Sequence, residues 1–311
     1  MKRFLFAVAM TMAILIGLAQ AQLAFDPNQV AILHWYAANQ TAAVSVGNAP
    51  EGVAFDGANL WVANQSDNTV TKLRASDDTT LGVFNVGTNP CGEVFDGANV
   101  WVANYTDGTV SKLRASDGTT LGTFSVGAGP CYLSFDGTNI WVANYRSNNV
   151  MELRASDGKL LGTFTASAPY GIAFDGANIW VANNSSNNVL KLRASDGKLL
   201  GTFNVGHTPT GMAFDGANMW VANSGDNTVT KLRVSNGAVL GTFAVGHFPI
   251  GVTCDDLHIW VANNQDSTVT KLSASGGALG TFSVGVQPGA ITFDGTNVWV
   301  ANAGGNTVSK L

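Results

Sequence analysis

The sequence predicts an all-β fold, a seven-bladed β-propeller with four antiparallel strands per blade. Three observations carry that reading. The tetrapeptide Trp-Val-Ala-Asn recurs seven times, starting at Trp61, Trp101, Trp141, Trp180, Trp220, Trp260 and Trp299, at intervals of 39 or 40 residues. Each interval divides into four short apolar runs separated by turns rich in Asp, Gly and Asn. The last repeat stops at Lys310-Leu311, one strand short, and a matching strand stands near the start of the chain.

Residues 48–87 show the order of one repeat. Gly52–Phe55 is a first strand, and Asp56-Gly57-Ala58-Asn59 is a turn, because Asp and Gly tolerate the positive φ of tight hairpins. Leu60–Ala63 is the second strand and Asn64–Asn68 a polar turn. Thr69–Arg74 is the third strand, Ala75–Asp78 another turn, and Leu81–Val86 the fourth strand. A lone blade would leave both faces in water, so neighbouring blades must stack. Bulky residues recur where stacking needs them: Phe55 and its equivalents in one slot, Phe84 and its equivalents in a second, the seven Trp in a third. The repeated Lys72 and Arg74 read as a solvated outer strand.

Residues 32–47 match 72–87 in length and place, and both end in Val-Gly (Val46-Gly47, Val86-Gly87). This N-terminal strand is expected to complete the last blade and close the ring, leaving no free sheet edge. An open solenoid is the alternative.

The pattern Pro-x-Gly-(Val/Ile/Met)-x-Phe-Asp-Gly-x-Asn-x-Trp-Val-Ala-Asn is carried by Pro50-Glu51-Gly52-Val53 and Leu60-Trp61-Val62-Ala63-Asn64. It resembles the YVTN/NHL-type propeller repeats and is especially similar to those of the virginiamycin B lyase (streptogramin lyase) family, over residues 32–311. In that family the resemblance implies a metal-assisted elimination that opens a cyclic depsipeptide, using His in the Pro-x-Gly slot and Glu at the end of the Trp strand. Here the first slot holds Glu51, Cys91, Cys131, Tyr170, Thr210, Ile250 and Gly289, and the second holds Asn64, Asn104, Asn144, Asn183, Asn223, Asn263 and Asn302. Asn is a poor proton acceptor and a weak Mg²⁺ ligand beside a carboxylate. No catalytic residue and no cofactor are therefore expected.

Near-identical repeats act as an internal control: what every blade carries serves the blade, and departures mark where a site could be built. The Asn ring has a structural reading, as turn caps, and a functional one, as amides around the channel entrance, which makes Asn104 and Asn144 candidates. Tyr105 and Tyr145 follow the Asn of blades two and three, Tyr132 and Tyr170 lie just after the Pro of blades three and four, and Arg146 adjoins Tyr145. Tyr and Arg combine apolar area with hydrogen bonding, so these five are the candidate ligand-binding sector. His207 and His247 share the Val-Gly-His-x-Pro slot in adjacent blades and are weak metal candidates, since no carboxylate or Cys stands beside either in sequence. Phe248 is an unusual apolar loop residue. Cys91 and Cys131 share a slot too, with a disulfide, free thiols or metal binding all open.

Composition bounds the function. Charged residues are 12% of the chain, and the net charge is −5 with no basic run, which argues against nucleic acid as a partner. Lys2-Arg3, the apolar stretch Phe4–Leu18 and Ala19-Gln20-Ala21 read as a secretory signal peptide over residues 1–21. A short extension, 22–31, precedes the propeller, 32–311, and no span is expected in the mature chain. The leading expectation is an exported protein, periplasmic or extracellular, that binds a small ligand or a protein on one propeller face. A lyase- or hydrolase-like enzyme working at the channel mouth and a structural envelope protein are the alternatives. Mass spectrometry of the protein recovered from its native host is expected to find Gln22 as the first residue; an intact Met1 would refute the leader.

Overall fold

The computed structural model describes residues 42–311. The leader, the extension and residues 32–41 of the expected closing strand lie outside them. Among the described residues, 28 strands form seven four-stranded antiparallel sheets. The first blade is β2 (Pro50–Phe55), β3 (Asn59–Asn64), β4 (Thr69–Arg74) and β5 (Thr80–Asn85). The same order repeats through the innermost strands β6 (Pro90–Phe95), β10 (Pro130–Phe135), β14 (Pro169–Phe174), β18 (Pro209–Phe214), β22 (Pro249–Asp255) and β26 (Pro288–Phe293). Successive innermost strands pack side by side, and β26 packs on β2, so the ring is closed.

Closure uses the N-terminal strand, as its sequence predicts. β1 (Ala42–Ser45) pairs with β28 (Thr307–Lys310), Ser45 opposite Thr307, and supplies the fourth strand of the last blade beside β27 (Val298–Asn302). The Asp-Gly turn also behaves as read. Gly57 sits at φ +97° with no atom near the place a Cβ would take, so backbone freedom alone calls for glycine there.

Each blade is built around its tryptophan. Trp61 is fully buried, and its indole N–H donates to Asp56 Oδ2 at 2.8 Å, while Asp56 also accepts from the Ala58 and Asn59 amides. Burial alone would raise the Asp56 carboxyl, but the Trp61, Asn59 and Ala58 donors outweigh it and hold it below the usual carboxylate range. The indole bond recurs in all seven blades, at 2.7–2.8 Å. Phe84 covers Trp61 with ring centroids 5.6 Å apart. Trp61 and Val70 then pack against Val100, Val102 and Leu113 of the next blade, so the core is a ring of clusters, one at each blade joint. Removing such a tryptophan would cost about 3–5 kcal/mol.

One expectation is corrected. Lys72 is not on a solvated strand: it is buried, 5.0 Å over the Trp61 ring, and its ammonium donates to Ala115 O of the next blade at 2.6 Å. The long aliphatic stem lies on the indole while the charged head reaches a turn carbonyl. Lys112, Lys191, Lys231 and Lys310 do the same, and Lys310 ties the last blade to Ala75 O of the first. Arg74 is exposed, as read, and pairs with Asp77.

Blade three departs from this tie. Glu152 takes the lysine's place beside Trp141 and accepts from Asn139 Nδ2 at 2.7 Å. Burial, and then Asp136, pushes its carboxyl above the usual value. Glu152→Lys restores the pattern of five other blades and is expected to stabilise the protein by about 0.5–2 kcal/mol at neutral pH. Because Glu152 costs most when ionised, the gain should shrink as pH falls through its raised value and should have levelled off below the ordinary carboxyl value. A thermal melt of the variant that shows no gain at pH 7 would contradict this account of the tie.

Candidate ligand-binding site

The innermost strands start at a proline, and the residues just after it decide what the ring axis holds. The third residue of each is Gly52, Gly92, Tyr132, Gly171, Gly211, Gly251 and Ala290. Glycine here is a matter of room. A Cβ on Gly171 would stand 2.1 Å from Thr210 O, and one on Gly211 would stand 2.3 Å from Ile250 O. The innermost strands thus approach closely and leave only a narrow channel of about 140 Å³, lined by five of these glycines together with Tyr132, Glu93 and apolar side chains.

At one end of that channel the ring opens into a cavity of about 420 Å³. Residues of six consecutive blades line it, from Glu51 in blade one to Phe248 and Ile250 in blade six, so it sits at the ring axis. All four candidate tyrosines meet there. Tyr132 and Tyr170 have ring centroids 5.1 Å apart, and Tyr145 stands edge-on to Tyr170 at 6.2 Å. Tyr105 lines the same wall, and the Arg146 guanidinium covers its ring at 4.7 Å from the centroid. Arg146 itself is exposed and does not line the cavity. Tyr132, in a slot that is glycine in five blades, touches both cavity and channel and forms the floor between them.

Asn104 and Asn144 are not brought to this site. Both are fully buried. Asn104 Oδ1 accepts from Gly87 N at 3.0 Å and its amide donates to Thr109 and Ser111, clipping the loop before the blade to the third strand. Asn144 donates to Asn149 Oδ1 at 2.9 Å. The histidines each hold one carboxylate: His207 Nδ1 is 2.7 Å from Asp226 Oδ1, and His247 Nδ1 is 2.8 Å from Asp266 Oδ1. The same aspartate slot caps Asn48 and Thr88 in other blades, so each dyad is a loop clip that carries a histidine. Among the described residues, no group of three or more His, Cys, Asp or Glu is placed to hold a metal ion.

Cys91 and Cys131 are free thiols in the cavity wall. They lie against each other, and the Cys131 thiol, followed by burial, pushes the Cys91 thiol well up, away from the reactive thiolate. Burial likewise raises the Tyr132 and Tyr170 hydroxyls, so both are neutral.

Two acidic residues at the site were not among the sequence candidates. Glu51 lines the cavity, and burial raises its carboxyl above the ordinary value. Glu93 lies just inside the channel in a column that is otherwise Val53, Leu133, Ile172, Met212, Val252 and Ile291. Its Oε1 accepts from Ala63 N at 3.0 Å, and its Oε2 is buried with no partner. The little surface it exposes faces the channel, not bulk water, and burial pushes its carboxyl well above the usual range. Reading down that column would have found it.

The fold has solved counterparts. A streptogramin B lyase structure superposes with a TM-score of 0.76 at 17% identity, covering 87% of this chain and 96% of that one. Its fold is that of the streptogramin lyases. Virginiamycin B lyase from Staphylococcus aureus gives 0.76 at 16% identity, over 87% of this chain and 98% of the lyase. Hydrazine synthase from Kuenenia stuttgartiensis gives 0.74 at 18%, over 86% and 96%. No protein-family model matches the sequence, and no curated protein matches it. The likeness to the streptogramin lyases is thus one of fold, in line with the repeat pattern.

Glu93 makes a direct test of the site's electrostatics. A carboxyl whose folded pKa lies above its unfolded value contributes fully below the unfolded value and loses that contribution as pH rises through the folded one. Glu93→Gln keeps the acceptor for Ala63 N and removes the charge. It is expected to melt several degrees above the wild type at neutral pH and together with it near pH 4. Equal melting temperatures at both would mean that Glu93 is not held out of water.

Proposed function

We propose that this protein is a binding module that takes a small organic ligand in the tyrosine-lined cavity at the mouth of the ring. One observation carries the reading: four tyrosines, each a departure from the repeat, converge on one cavity. The repeat accounts for none of them, and its volume of about 420 Å³ falls in the range of small-molecule sites. Tyr132 and Tyr170 stand on innermost strands and Tyr105 and Tyr145 on the tight turns that follow the Trp strands, a frame that favours a preformed pocket. The leader-like segment 1–21 supports work outside the cytoplasm, in a periplasm or beyond the cell. A protein partner on the same face would have to reach into this cavity.

A second reading, catalysis at the same mouth, is favoured by Glu51 alone. Burial raises the Glu51 carboxyl above its ordinary value, the direction that suits a general acid.

The test is a ligand-observed NMR screen of charged and neutral fragments against the wild type and the Tyr105→Ala/Tyr145→Ala double variant. Fragments that bind the wild type are expected to lose at least about tenfold in affinity in the variant, since truncated aromatic anchors commonly cost more than 1 kcal/mol each. Hits that bind both proteins equally would place the site elsewhere.

A further inference from the structure

Resting on that reading, we propose that the cavity selects an organic cation, a substituted ammonium group held among the tyrosine rings with Glu51 as its counter-charge. The lining contains one formal charge, the Glu51 carboxylate, and no Lys, Arg or His. Beneath it, Glu93 Oε2 is buried without a partner. Arg146 lies outside the lining with its guanidinium already stacked on Tyr105, and among the described residues no cation stacks on Tyr132, Tyr145 or Tyr170. Phe248 adds a fifth ring to the wall.

The choice among ligand classes follows from these groups. An anion would meet the Glu51 carboxylate and the negative faces of the rings. A neutral apolar ligand would fill the volume but take Glu51 further out of water with nothing to offset its charge, which is costly. A cation gains from both sides: ring faces attract it, and the carboxylate it meets is already stripped of much of its water. A bare metal ion does not suit the wall, because the carboxylates and thiols are not grouped as ligands. Thr210 offers no free donor toward an anion either, since its hydroxyl donates to Pro249 O at 3.0 Å. Recognition by ring faces and one carboxylate is suited to alkylated ammonium heads, whose charge is spread over methyl or methylene groups.

The probes are choline and 3,3-dimethyl-1-butanol, its neutral isostere with carbon in place of nitrogen, titrated into the purified full-length protein by ligand-observed NMR. Choline is expected to bind at least about tenfold more tightly than the isostere. Glu51→Gln, and independently Tyr145→Leu, are each expected to weaken choline about tenfold and leave the isostere unchanged, with melting temperature as the check on folding. Equal binding of the two probes, or choline binding untouched by both substitutions, overturns the cation assignment. Neutral fragments that bind in a tyrosine-dependent way while choline does not would sink this inference and leave the binding module standing. If no fragment and neither probe binds, both fall.

Discussion

Everything in this molecule hangs on the hydrogen bond from a buried indole to a turn aspartate. A tryptophan is large enough to fill the wedge between two blades, but its N–H cannot be buried unpaired without a penalty of about 1–3 kcal/mol. The Asp of the Asp-Gly turn removes that penalty and fixes the hairpin at the same time, since it also accepts from the amides of the turn. Phe84 then closes one side of the indole, and Lys72 lies over its ring and reaches the following blade. Turn, core and blade joint are thus one linked unit, repeated around the ring.

A scaffold this uniform has little freedom except where the unit does not reach. The residues just after the innermost proline and just after the Trp-strand Asn take no part in it. They are where blades two to four diverge, into Cys91, Tyr105, Cys131, Tyr132, Tyr145 and Tyr170. Blade three carries the largest share, including Tyr132 in a glycine slot and Glu152 in a lysine slot. The outcome is a sevenfold frame with an asymmetric cavity, acidic and aromatic in character, in which burial raises the Tyr132 and Tyr170 phenols.

The fold was legible because the unit is local. Trp61 and Asp56 stand five residues apart, and the turn between them is written in Asp-Gly. The tyrosine sector was legible too, by subtracting one repeat from the next. What escaped depends on partners from another repeat. Lys72 looks like an alternating surface charge until its carbonyl partner, 43 residues on, is seen. Glu93 stands in an apolar column and bonds to Ala63 in the preceding blade. Glu51 could be read only as a slot without His, because its role comes from the rings placed across the axis. The Asn ring allowed two readings at sequence level, and the burial of Asn104 and Asn144 shows what their amides hold.

The pairing of Ser45 with Thr307 has a bearing on how the protein comes into being. Blades one to six are each assembled from contiguous chain and can form in the order of synthesis. The final blade cannot, because one of its strands precedes blades one to six in the chain and the other three follow them. Until the C-terminal strand is made, β1 has no place to dock and the joint between β26 and β2 is unmade. Contacts of such long sequence separation form slowly, since chain entropy must be lost before they repay it. The closed ring therefore has a natural last step, and damage confined to the final few residues would be felt at the first blade.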